Sequence, residues 1–339
     1  MYYFCTYFDK NYYPRSRALH ESLVRCGVDF TLFALCLDEE SAQLVDALGL
    51  PSFVPVPVAE LEAHDPELKS VKSGRSKVEY YFTCTAAFCS FVMERFRQVD
   101  LLTYLDADLY FFAHPKPLFD EMEDSSIGII PHRYSLIASI HKAHGLYNVG
   151  WVSFRRDAEG LACLDLWRRQ CIEWCYDRVE DGKFADQKYL DAWPGRFARV
   201  RVIEHTGANI GSWNIARYPV RVSSDGRLMA GDAPLIFFHF ACFSQLSKRI
   251  FNTSFGGNYV YLTPTVRRHV YGPYIEDLLR FSADDGLARR DRKADSHIQR
   301  IRQLIRLALR TVRGIVFNEY IVLPRAEMGQ RVAISMKEE

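Results

Sequence analysis

The sequence predicts a doubly wound α/β domain with a mostly parallel sheet, followed by a helical C-terminal appendage. Apolar runs of strand length alternate with helical segments through about residue 245, which favours parallel βαβ units. The 339 residues are 48% hydrophobic and 25% charged, which are the proportions of a globular protein. A chain of this length can bury roughly three quarters of its unfolded surface, enough for one large domain and an appendage.

The first segments follow the order strand, helix, strand. Residues 2–8 and 29–37 are apolar runs of strand length, and residues 16–26 place apolar side chains at helical spacing before Gly27. A second helix is predicted over residues 41–49. The apolar run that follows contains prolines, which limit it to a short or edge strand.

The middle of the chain contains one long helix and one unusual strand. Residues 61–76 are polar and predict a mobile surface loop, whereas residues 77–98 predict a helix that is apolar nearly all round and therefore buried. Residues 101–112 predict a central strand that two aspartates interrupt. Further strands and helices are predicted over residues 126–132, 147–155, 160–179, 186–193, 199–205 and 234–240.

The tail differs in composition from the rest of the chain. We place the α/β domain at residues 1–260 and a helical extension at residues 261–339. Residues 288–313 contain nine basic and two acidic residues, and one helical face carries Ile298, Ile301, Ile305, Leu309 and Val312. This helix would either pack on the domain or on a second copy of the chain, or lie as a peripheral helix on an anionic membrane.

The cysteines and the amino terminus indicate a cytoplasmic protein. None of the nine cysteines forms a C-x-x-C pair, and most lie inside apolar runs, as expected of buried thiols in a reducing compartment. We expect neither a signal peptide nor a transmembrane helix, so membrane contact would be peripheral, at the inner face. The near balance of 43 Lys+Arg against 42 Asp+Glu favours no nucleic-acid partner.

Two carboxylates, Asp106 and Asp108, interrupt an apolar strand. Alternate residues on a strand face the same side, so these carboxylates would lie together. They would repel each other unless a cation neutralises them. Open α/β sheets bind ligands at the carboxyl edge, and oxygen ligands suit Mg²⁺ or Mn²⁺, which commonly bridge to substrate phosphates. The setting therefore favours a metal site, although a D-x-D pair alone is a weak signal.

Three further polar interruptions accompany the aspartates. His239 ends an apolar strand, and an imidazole beside two carboxylates favours Mn²⁺; a hydrogen-bonded core histidine is the alternative. Asn148 and Gly150 interrupt another strand, where glycine permits close approach of the backbone to a ligand. Asp186 precedes a helical segment together with Gln187, and a helix N-cap is the alternative for this aspartate.

The order D-x-D, N-x-G, D-Q and strand-terminal histidine resembles the family-8 glycosyltransferases of the GT-A fold and their relatives. Thr6, Asp9, Asn11 and Tyr12 look like that family's nucleotide-binding strand and loop. The segment KVEYYF resembles the helix that leads into its D-x-D strand. The resemblance spans roughly residues 3–245 and implies a Rossmann-like GT-A domain.

The resemblance implies a metal site and two catalytic residues. Asp106 and Asp108 would chelate Mn²⁺ (or Mg²⁺) on the donor diphosphate, with His239 as the third protein ligand. Asp186 would hold hydroxyl groups of the donor sugar, and Gln187 would lie beneath the anomeric carbon. Retention of configuration at that carbon is favoured by the family likeness.

The resemblance also implies a nucleotide-sugar pocket, in which an aromatic ring stacks on uridine and a basic group precedes the D-x-D strand. The residues that would bind the nucleotide sugar are Thr6, Tyr7, Asp9, Tyr12, Lys77, Asp106, Asn148, Gly150 and Lys248.

Lys248 is included because the chain departs from the family pattern after its histidine. That histidine is commonly followed by a glycine and a phosphate-binding lysine, but these positions hold Cys242 and Gln245. The phosphate charge would have to be met elsewhere. The candidates are Lys248, Arg249, and the basic side chains Lys72, Arg75 and Lys77 if their loop closes.

The sequence gives weaker signals for the residues that would bind the acceptor. Residues 209–214 and 193–195 offer amides and indoles that suit contact with a sugar, but an ordinary turn and a core tryptophan explain them equally well.

The leading hypothesis is a Mn²⁺-dependent glycosyltransferase that moves a sugar from a UDP-sugar donor to a glycan or lipid-linked acceptor, in assembly of a surface polysaccharide or another glycoconjugate. A sugar-nucleotide nucleotidyltransferase is an alternative, but TYFDKNYYPR lacks the Gly-rich loop of that chemistry. A D-x-D phosphatase is another, although Tyr110 stands where its usual hydroxyl residue is expected. An inactive GT-A domain acting as a binding or scaffold protein is the non-enzymatic alternative.

Overall fold

The computed structural model describes residues 1–282 and 311–324 of the chain. Its strands, numbered in chain order, are β1 (Tyr2–Phe8), β2 (Phe30–Cys36), β3 (Phe53–Pro57), β4 (Leu101–Leu105), β5 (Leu109–Phe111), β6 (Ile127–Pro131), β7 (Tyr147–Arg155), β8 (Val200–Val202), β9 (Val220–Val222), β10 (Leu228–Ala230), β11 (Ala233–Pro234), β12 (Phe237–His239), β13 (Ser244–Ser247), β14 (Ile250–Asn252) and β15 (Tyr320–Val322).

The α-helices are α1 (Tyr13–Arg25), α2 (Glu39–Asp46), α3 (Val58–His64), α4 (Pro66–Val71), α5 (Lys77–Arg95), α6 (Lys116–Met122), α7 (Ala158–Glu173), α8 (Trp193–Arg196), α9 (Pro264–Val266) and α10 (Gly272–Phe281). Short 3₁₀ helices cover Lys72–Gly74, Ile137–His144, Lys188–Ala192 and Phe255–Asn258, and a π-helical turn covers Arg267–Tyr271. Residues 311–316 are helical as well.

Seven strands form the central sheet, in the order β3-β2-β1-β4-β7-β6-β8. Strand β7 runs antiparallel to both of its neighbours, and every other pair in the sheet is parallel. Helices α1, α2 and α6 pack on one face of the sheet, and α5 and α7 pack on the other. The predicted doubly wound, mostly parallel α/β fold is therefore confirmed.

Helix α5 shows why an all-apolar helix belongs inside the protein. Its N-terminus is closed by a reciprocal capping box between Ser76 and Glu79. Beyond that first turn, most of its side chains are buried between the sheet and α7. The predicted burial of this helix is confirmed.

The prediction of a mobile loop over residues 61–76 is wrong, because the segment is mostly helical. The Asp65 carboxylate accepts a hydrogen bond from the Leu68 amide at 3.0 Å and thereby caps α4. Arg168 of α7 grips the same carboxylate through its Nε at 2.7 Å and its Nη2 at 2.5 Å. These contacts hold a polar segment that composition alone assigns to a loop.

The segment with the two aspartates is not one continuous strand. Strand β4 ends at Leu105, the aspartates occupy the turn that follows, and β5 pairs antiparallel with β12 outside the central sheet. In that pairing His239 lies opposite Leu109. The strand-terminal histidine is thereby brought beside the turn of the aspartates.

Parts of the predicted C-terminal extension pack directly on the α/β domain. Helix α10 lies against α1, and the ring of Tyr274 stacks on Phe240 with centroids 3.8 Å apart. Strand β15 pairs with β14. The predicted amphipathic helix at 288–313 lies, apart from its last three residues, outside the described residues. Within residues 1–282 and 311–324, no helix combines the length and apolar character that crossing a bilayer requires.

Asp277 anchors α10 to the rest of the fold. Its carboxylate, 5% exposed, accepts hydrogen bonds from the Arg25 guanidinium at 2.6 Å and from the Tyr110 hydroxyl at 2.9 Å. We expect Asp277→Ala to lower the free energy of unfolding by about 2–3 kcal/mol, because two donors lose a charged acceptor. Urea denaturation would measure the loss. Asp165→Ala, which removes an exposed i,i+4 ion pair with Arg169, should stay within about 0.5 kcal/mol of the parent; an equal loss in both variants would refute the anchor.

Candidate functional site

Three side chains that are distant in the sequence converge at the end of β4. Asp106, Asp108 and His239 each offer one ligand atom, and these atoms lie within 4.8 Å of one another. The His239 Nε2 is 3.1 Å from Asp108 Oδ1 and 3.5 Å from Asp106 Oδ2. The cluster is largely shielded from solvent, since the side chains of Asp106, Asp108 and His239 are 29%, 13% and 6% exposed, respectively.

The pKa values of the three groups show how unfavourable this cluster is without a cation. Burial raises the pKa of Asp106, and the negative charge of Asp108 adds to that shift. Burial opposes ionisation of Asp108 too, but His239 and Arg15 together lower its pKa below the usual value. Burial alone would lower the pKa of His239, yet the two carboxylates raise it. Without a bound cation, the positive charge near Asp106 and Asp108 is too small to keep both buried carboxylates ionised at low cost.

The donor set fits a divalent metal ion. Two carboxylates and one imidazole suit Mn²⁺, and a bound cation would relieve the repulsion between the carboxylates. The surrounding groups orient the ligands. The Tyr104 hydroxyl donates to Asp106 Oδ1 at 2.8 Å, and the His239 amide donates to the Ile210 carbonyl at 2.8 Å. Such outer contacts typically fix ligand geometry in metal sites.

Gly150 makes room for the imidazole of the cluster. A Cβ at this position would lie 2.5 Å from Asn148 Oδ1 and 2.9 Å from His239 Cε1. The Asn148 side chain accepts a hydrogen bond from the Gly150 amide at 2.6 Å and donates to His132 Nε2 at 2.9 Å. The sequence predicted that this glycine admits a ligand, and the structure fills its space with His239 and Asn148.

Trp213 supports the other side of His239. Its ring meets the imidazole edge-on at 5.3 Å, and its Nε1 donates to the His132 carbonyl at 3.0 Å. Trp213 is only 7% exposed and packs against the imidazole of His239. Trp193 is 1% exposed and packs against Trp167, as the core-tryptophan alternative required.

We expect Gly150→Ala to displace His239 and weaken metal binding. The added methyl overlaps two side chains that are themselves held, so the free energy of unfolding should fall by about 1–3 kcal/mol. Manganese titration and thermal unfolding would measure both effects. Gly195→Ala is the matched control, because a Cβ there meets no atom within 4 Å. Undiminished Mn²⁺ affinity in Gly150→Ala would contradict the role assigned to this glycine.

Asp186 and Gln187 are adjacent in the sequence but have different surroundings. Burial raises the pKa of Asp186 to about 7, and the Asp106 carboxylate adds to the shift. Asp186 precedes the 3₁₀ helix Lys188–Ala192, whose N-cap is Gln187. The Gln187 side chain donates to the His144 carbonyl at 3.1 Å and accepts from the Val149 amide at 3.4 Å. It therefore ties the 3₁₀ segment Ile137–His144 to β7.

The residues predicted to hold the nucleotide lie on β1, on the loop after it and on α5. Asp9 accepts hydrogen bonds from Lys77 Nζ at 2.8 Å and from the Tyr81 hydroxyl at 3.4 Å. Thr6 is fully buried, and its Oγ1 has no hydrogen-bond partner. Tyr7 packs beside Tyr104 with centroids 5.8 Å apart, and Tyr12 is 44% exposed.

Arg15 is a site residue that the sequence interpretation did not single out. It lies in the first turn of α1, and its Nη1 is 3.7 Å from Asp108 Oδ2. The available signal was a basic residue three positions after Tyr12, at the start of the helix that follows the first strand. Lys248, another predicted phosphate ligand, lies exposed in the turn between β13 and β14.

Two proteins of Bacillus subtilis (strain 168) are similar in sequence to this chain. The uncharacterized protein YfnD is 32% identical over 271 residues, which cover 79% of this chain and 84% of YfnD. The uncharacterized protein YfnF is 34% identical over 253 residues, which cover 72% of this chain and 82% of YfnF. No protein-family model matches the chain.

Solved structures with a similar architecture include glycosyltransferases. The galactosyltransferase LgtC, solved with donor and acceptor sugar analogs, has 15% identity and a TM-score of 0.49, covering 84% of this chain and 97% of LgtC. Mouse xyloside xylosyltransferase 1 has 16% identity and a TM-score of 0.46, covering 71% and 98%. Glycosyltransferases are thus among the solved structures that this fold resembles.

Proposed function

The chain belongs to the same family as YfnD and YfnF, and we propose that it is a glycosyltransferase that moves a sugar from a UDP-sugar to a glycan or lipid-linked acceptor. One observation carries the proposal: the ligand atoms of Asp106, Asp108 and His239 lie within 4.8 Å of one another at the carboxyl end of β4. This edge of an open α/β sheet is where ligands bind, and the donor set suits a divalent ion beside a diphosphate.

The residues of the site match the charges that glycosyl transfer develops. Positive charge grows at the anomeric carbon while negative charge grows on the leaving diphosphate. A divalent ion bound at the carboxylates would act as a Lewis acid toward that diphosphate. Asp106 and Asp108 would orient the leaving group through it. Asp186, ionised in part of the population at neutral pH, would lie close enough to stabilise the positive charge or to hold sugar hydroxyls.

Gln187 and Asp9 take positioning roles in this proposal. Both hydrogen-bonding ends of the Gln187 side chain are occupied by backbone groups, so it would shape the sugar pocket by holding residues 137–144 in place. Asp9 and Lys77 pair with each other beside β1, where the resemblance puts the uridine. Asn148, which braces Gly150, would border the sugar pocket through the same network.

A donor-hydrolysis screen tests the proposed reaction. Purified protein would be incubated with a panel of UDP- and GDP-sugars, with and without Mn²⁺, and release of the nucleotide would be measured. We expect metal-dependent release of UDP from one donor, and its loss in Asp106→Ala/Asp108→Ala. The matched control is Asp225→Ala/Asp232→Ala, which removes two exposed carboxylates from the β9–β11 hairpins.

Two outcomes of that screen would count against the proposal. Release that is independent of Mn²⁺ and survives in Asp106→Ala/Asp108→Ala would remove the metal cluster from the chemistry. Absence of both turnover and Mn²⁺-dependent nucleotide binding would refute the assignment. Once an acceptor is known, the anomeric configuration of the product, read by NMR, tests the retention that we propose.

We further propose that the C-terminal tail contributes a peripheral membrane contact. Val312 belongs to the apolar face predicted from the sequence, and it is 61% exposed, as are neighbouring Ile315 at 69% and Val316 at 62%. Exposed apolar side chains next to a basic segment suit an anionic membrane surface. Co-sedimentation of the full chain with anionic liposomes, compared with Val312→Ser/Ile315→Ser/Val316→Ser, tests this. Equal pelleting of both proteins would contradict it.

A further inference from the structure

The donor diphosphate of the proposed function brings more negative charge than the metal cluster can neutralise alone. A divalent ion at Asp106, Asp108 and His239 is already surrounded by two carboxylates. Phosphoryl and diphosphate groups in enzyme sites are therefore commonly met by additional cations. The positions after His239 that would supply a lysine by resemblance hold Cys242 and Gln245 instead. Another cation of this chain must take that place.

Most of the cations considered from the sequence are engaged elsewhere. Lys72 pairs with Glu62 at 2.5 Å, and Lys77 pairs with Asp9 at 2.8 Å. Arg75 donates to the Thr83 hydroxyl and the Ile172 carbonyl, and Arg249 donates to the Leu323 carbonyl. Lys248 is exposed in the turn between β13 and β14.

Arg15 differs from all of these in its geometry. Its Nη2 donates to the Phe243 carbonyl at 2.7 Å, and its guanidinium lies over the Tyr12 ring with Cζ 4.4 Å from the centroid. Its Nη1 is buried, has no hydrogen-bond partner, and lies 3.7 Å from Asp108 Oδ2. The guanidinium is therefore held in position, with its Nη1 facing the Asp108 carboxylate beyond hydrogen-bonding distance.

A guanidinium in this arrangement is preorganised to bind an anion. Its planar fork presents several N–H donors, and phosphate oxygens match that geometry. A buried donor without an acceptor is costly, so a ligand that supplies an acceptor gains the hydrogen bond at little cost in ordering the side chain. The contact with Phe243 also links the guanidinium to the loop that follows His239.

We propose that Arg15 binds the diphosphate of the nucleotide-sugar donor, in place of the lysine that is absent after His239. This inference rests on the proposed function, since it assigns the cation that holds the same donor. Arg15 is then a donor-binding residue, and through Phe243 it couples the loop at 240–243 to the presence of the diphosphate.

Calorimetric titrations with UDP in saturating Mn²⁺ test the inference, using the full chain and the variants Arg15→Gln and Arg15→Lys. We expect Arg15→Gln to weaken UDP binding by about 10- to 100-fold, the range for loss of a hydrogen bond to a charged group. Arg15→Lys keeps the charge without the fork and should fall in between. Arg268→Gln, which removes an exposed arginine far from Asp108 in the chain, is the charge-matched control and should bind UDP as the parent does.

Titration with Mn²⁺ alone separates phosphate binding from a bracing role. The positive charge of Arg15 opposes a cation at Asp108, so Arg15→Gln should bind Mn²⁺ as tightly as the parent or more tightly. If Arg15 only braced Asp108 and the loop, Arg15→Gln would weaken Mn²⁺ and UDP binding together, and the inference would be overturned. Unchanged UDP affinity in Arg15→Gln, or a loss that appears only in Lys248→Gln, would overturn it as well.

The same titrations distinguish this inference from the function on which it rests. If the parent protein binds UDP with Mn²⁺ and Arg15→Gln does so equally well, only the assignment of Arg15 fails. If the parent protein binds none of UDP, GDP, ADP or CDP with Mn²⁺, the proposed function and the assignment fail together. Should a diphosphate other than UDP bind the parent, the variants are compared with that nucleotide.

Discussion

Asp108→Asn is expected to lower Mn²⁺-dependent turnover of the donor by orders of magnitude while leaving the protein folded. Asp108 has the shortest contact with His239 in the cluster, at 3.1 Å, and an amide in its place is a poor ligand for a hard cation. Loss of one ligand should lower kcat/KM by about 10²- to 10³-fold, the scale on which electrostatic stabilisation of a leaving group acts. Release of UDP measured against Mn²⁺ concentration gives this loss, and a direct Mn²⁺ titration gives the change in affinity.

Asp232→Asn is the matched control for this substitution, because it neutralises an aspartate that is fully exposed and pairs with Arg221. It should retain the turnover of the parent. Turnover in Asp108→Asn within about twofold of the parent, with unchanged dependence on Mn²⁺, would show that the cluster is not the metal site of the reaction.

Asp186→Asn is expected to make the metal-free protein more stable at pH 8 than the parent. Burial raises the pKa of Asp186 to about 7 in the folded state, against an unfolded value of 3.8. Between these values the folded state binds more protons than the unfolded state, so the parent loses stability as pH rises toward 7. An asparagine does not titrate, and the advantage of the variant should grow by about 2.5 kcal/mol between pH 5 and pH 8.

Thermal or urea unfolding across that pH range, in the presence of a chelator, measures the difference in the free energy of unfolding between Asp186→Asn and the parent. The Asp232→Asn variant should differ from the parent by a nearly constant amount, because its carboxylate is exposed. The more stable Asp186→Asn protein should nevertheless turn over donor poorly, since the proposed reaction uses the negative charge that destabilises the fold. If the difference in stability between Asp186→Asn and the parent does not change with pH, burial does not raise the pKa of Asp186.

The layered architecture could be predicted because its signals are local. The run at 2–8 became β1, and the apolar helix at 77–98 became α5, buried between the sheet and α7. A segment that is buried on two sides is apolar nearly all round, and this pattern can be seen directly in the sequence. The prediction of a loop at 61–76 was wrong for the opposite reason. Its helices depend on the contact between Asp65 and Arg168, which are separated by 103 positions.

The candidate ligand residues could be predicted from the sequence one by one, whereas the side chains that pack around them could not. Asp106, Asp108 and His239 stand out because each is a polar residue in or beside an apolar run. Gly150 was predicted to admit a ligand, and the structure shows that a Cβ at this position would meet the imidazole of His239. Which side chain fills the space above a glycine depends on packing between strands that are remote in sequence.

The sequence by itself determined the α/β class, the alternation of helices and strands, and the type of ligand atoms available for a metal. Only the tertiary structure decided that the aspartates lie in a turn, because β5 leaves the central sheet to pair with β12. The same pairing brings His239 to Asp108, and the close approach of α1 to the loop after β12 brings Arg15 there as well. The physical reason is that periodicity records only whether a position is buried, while the register between distant strands decides which buried groups meet.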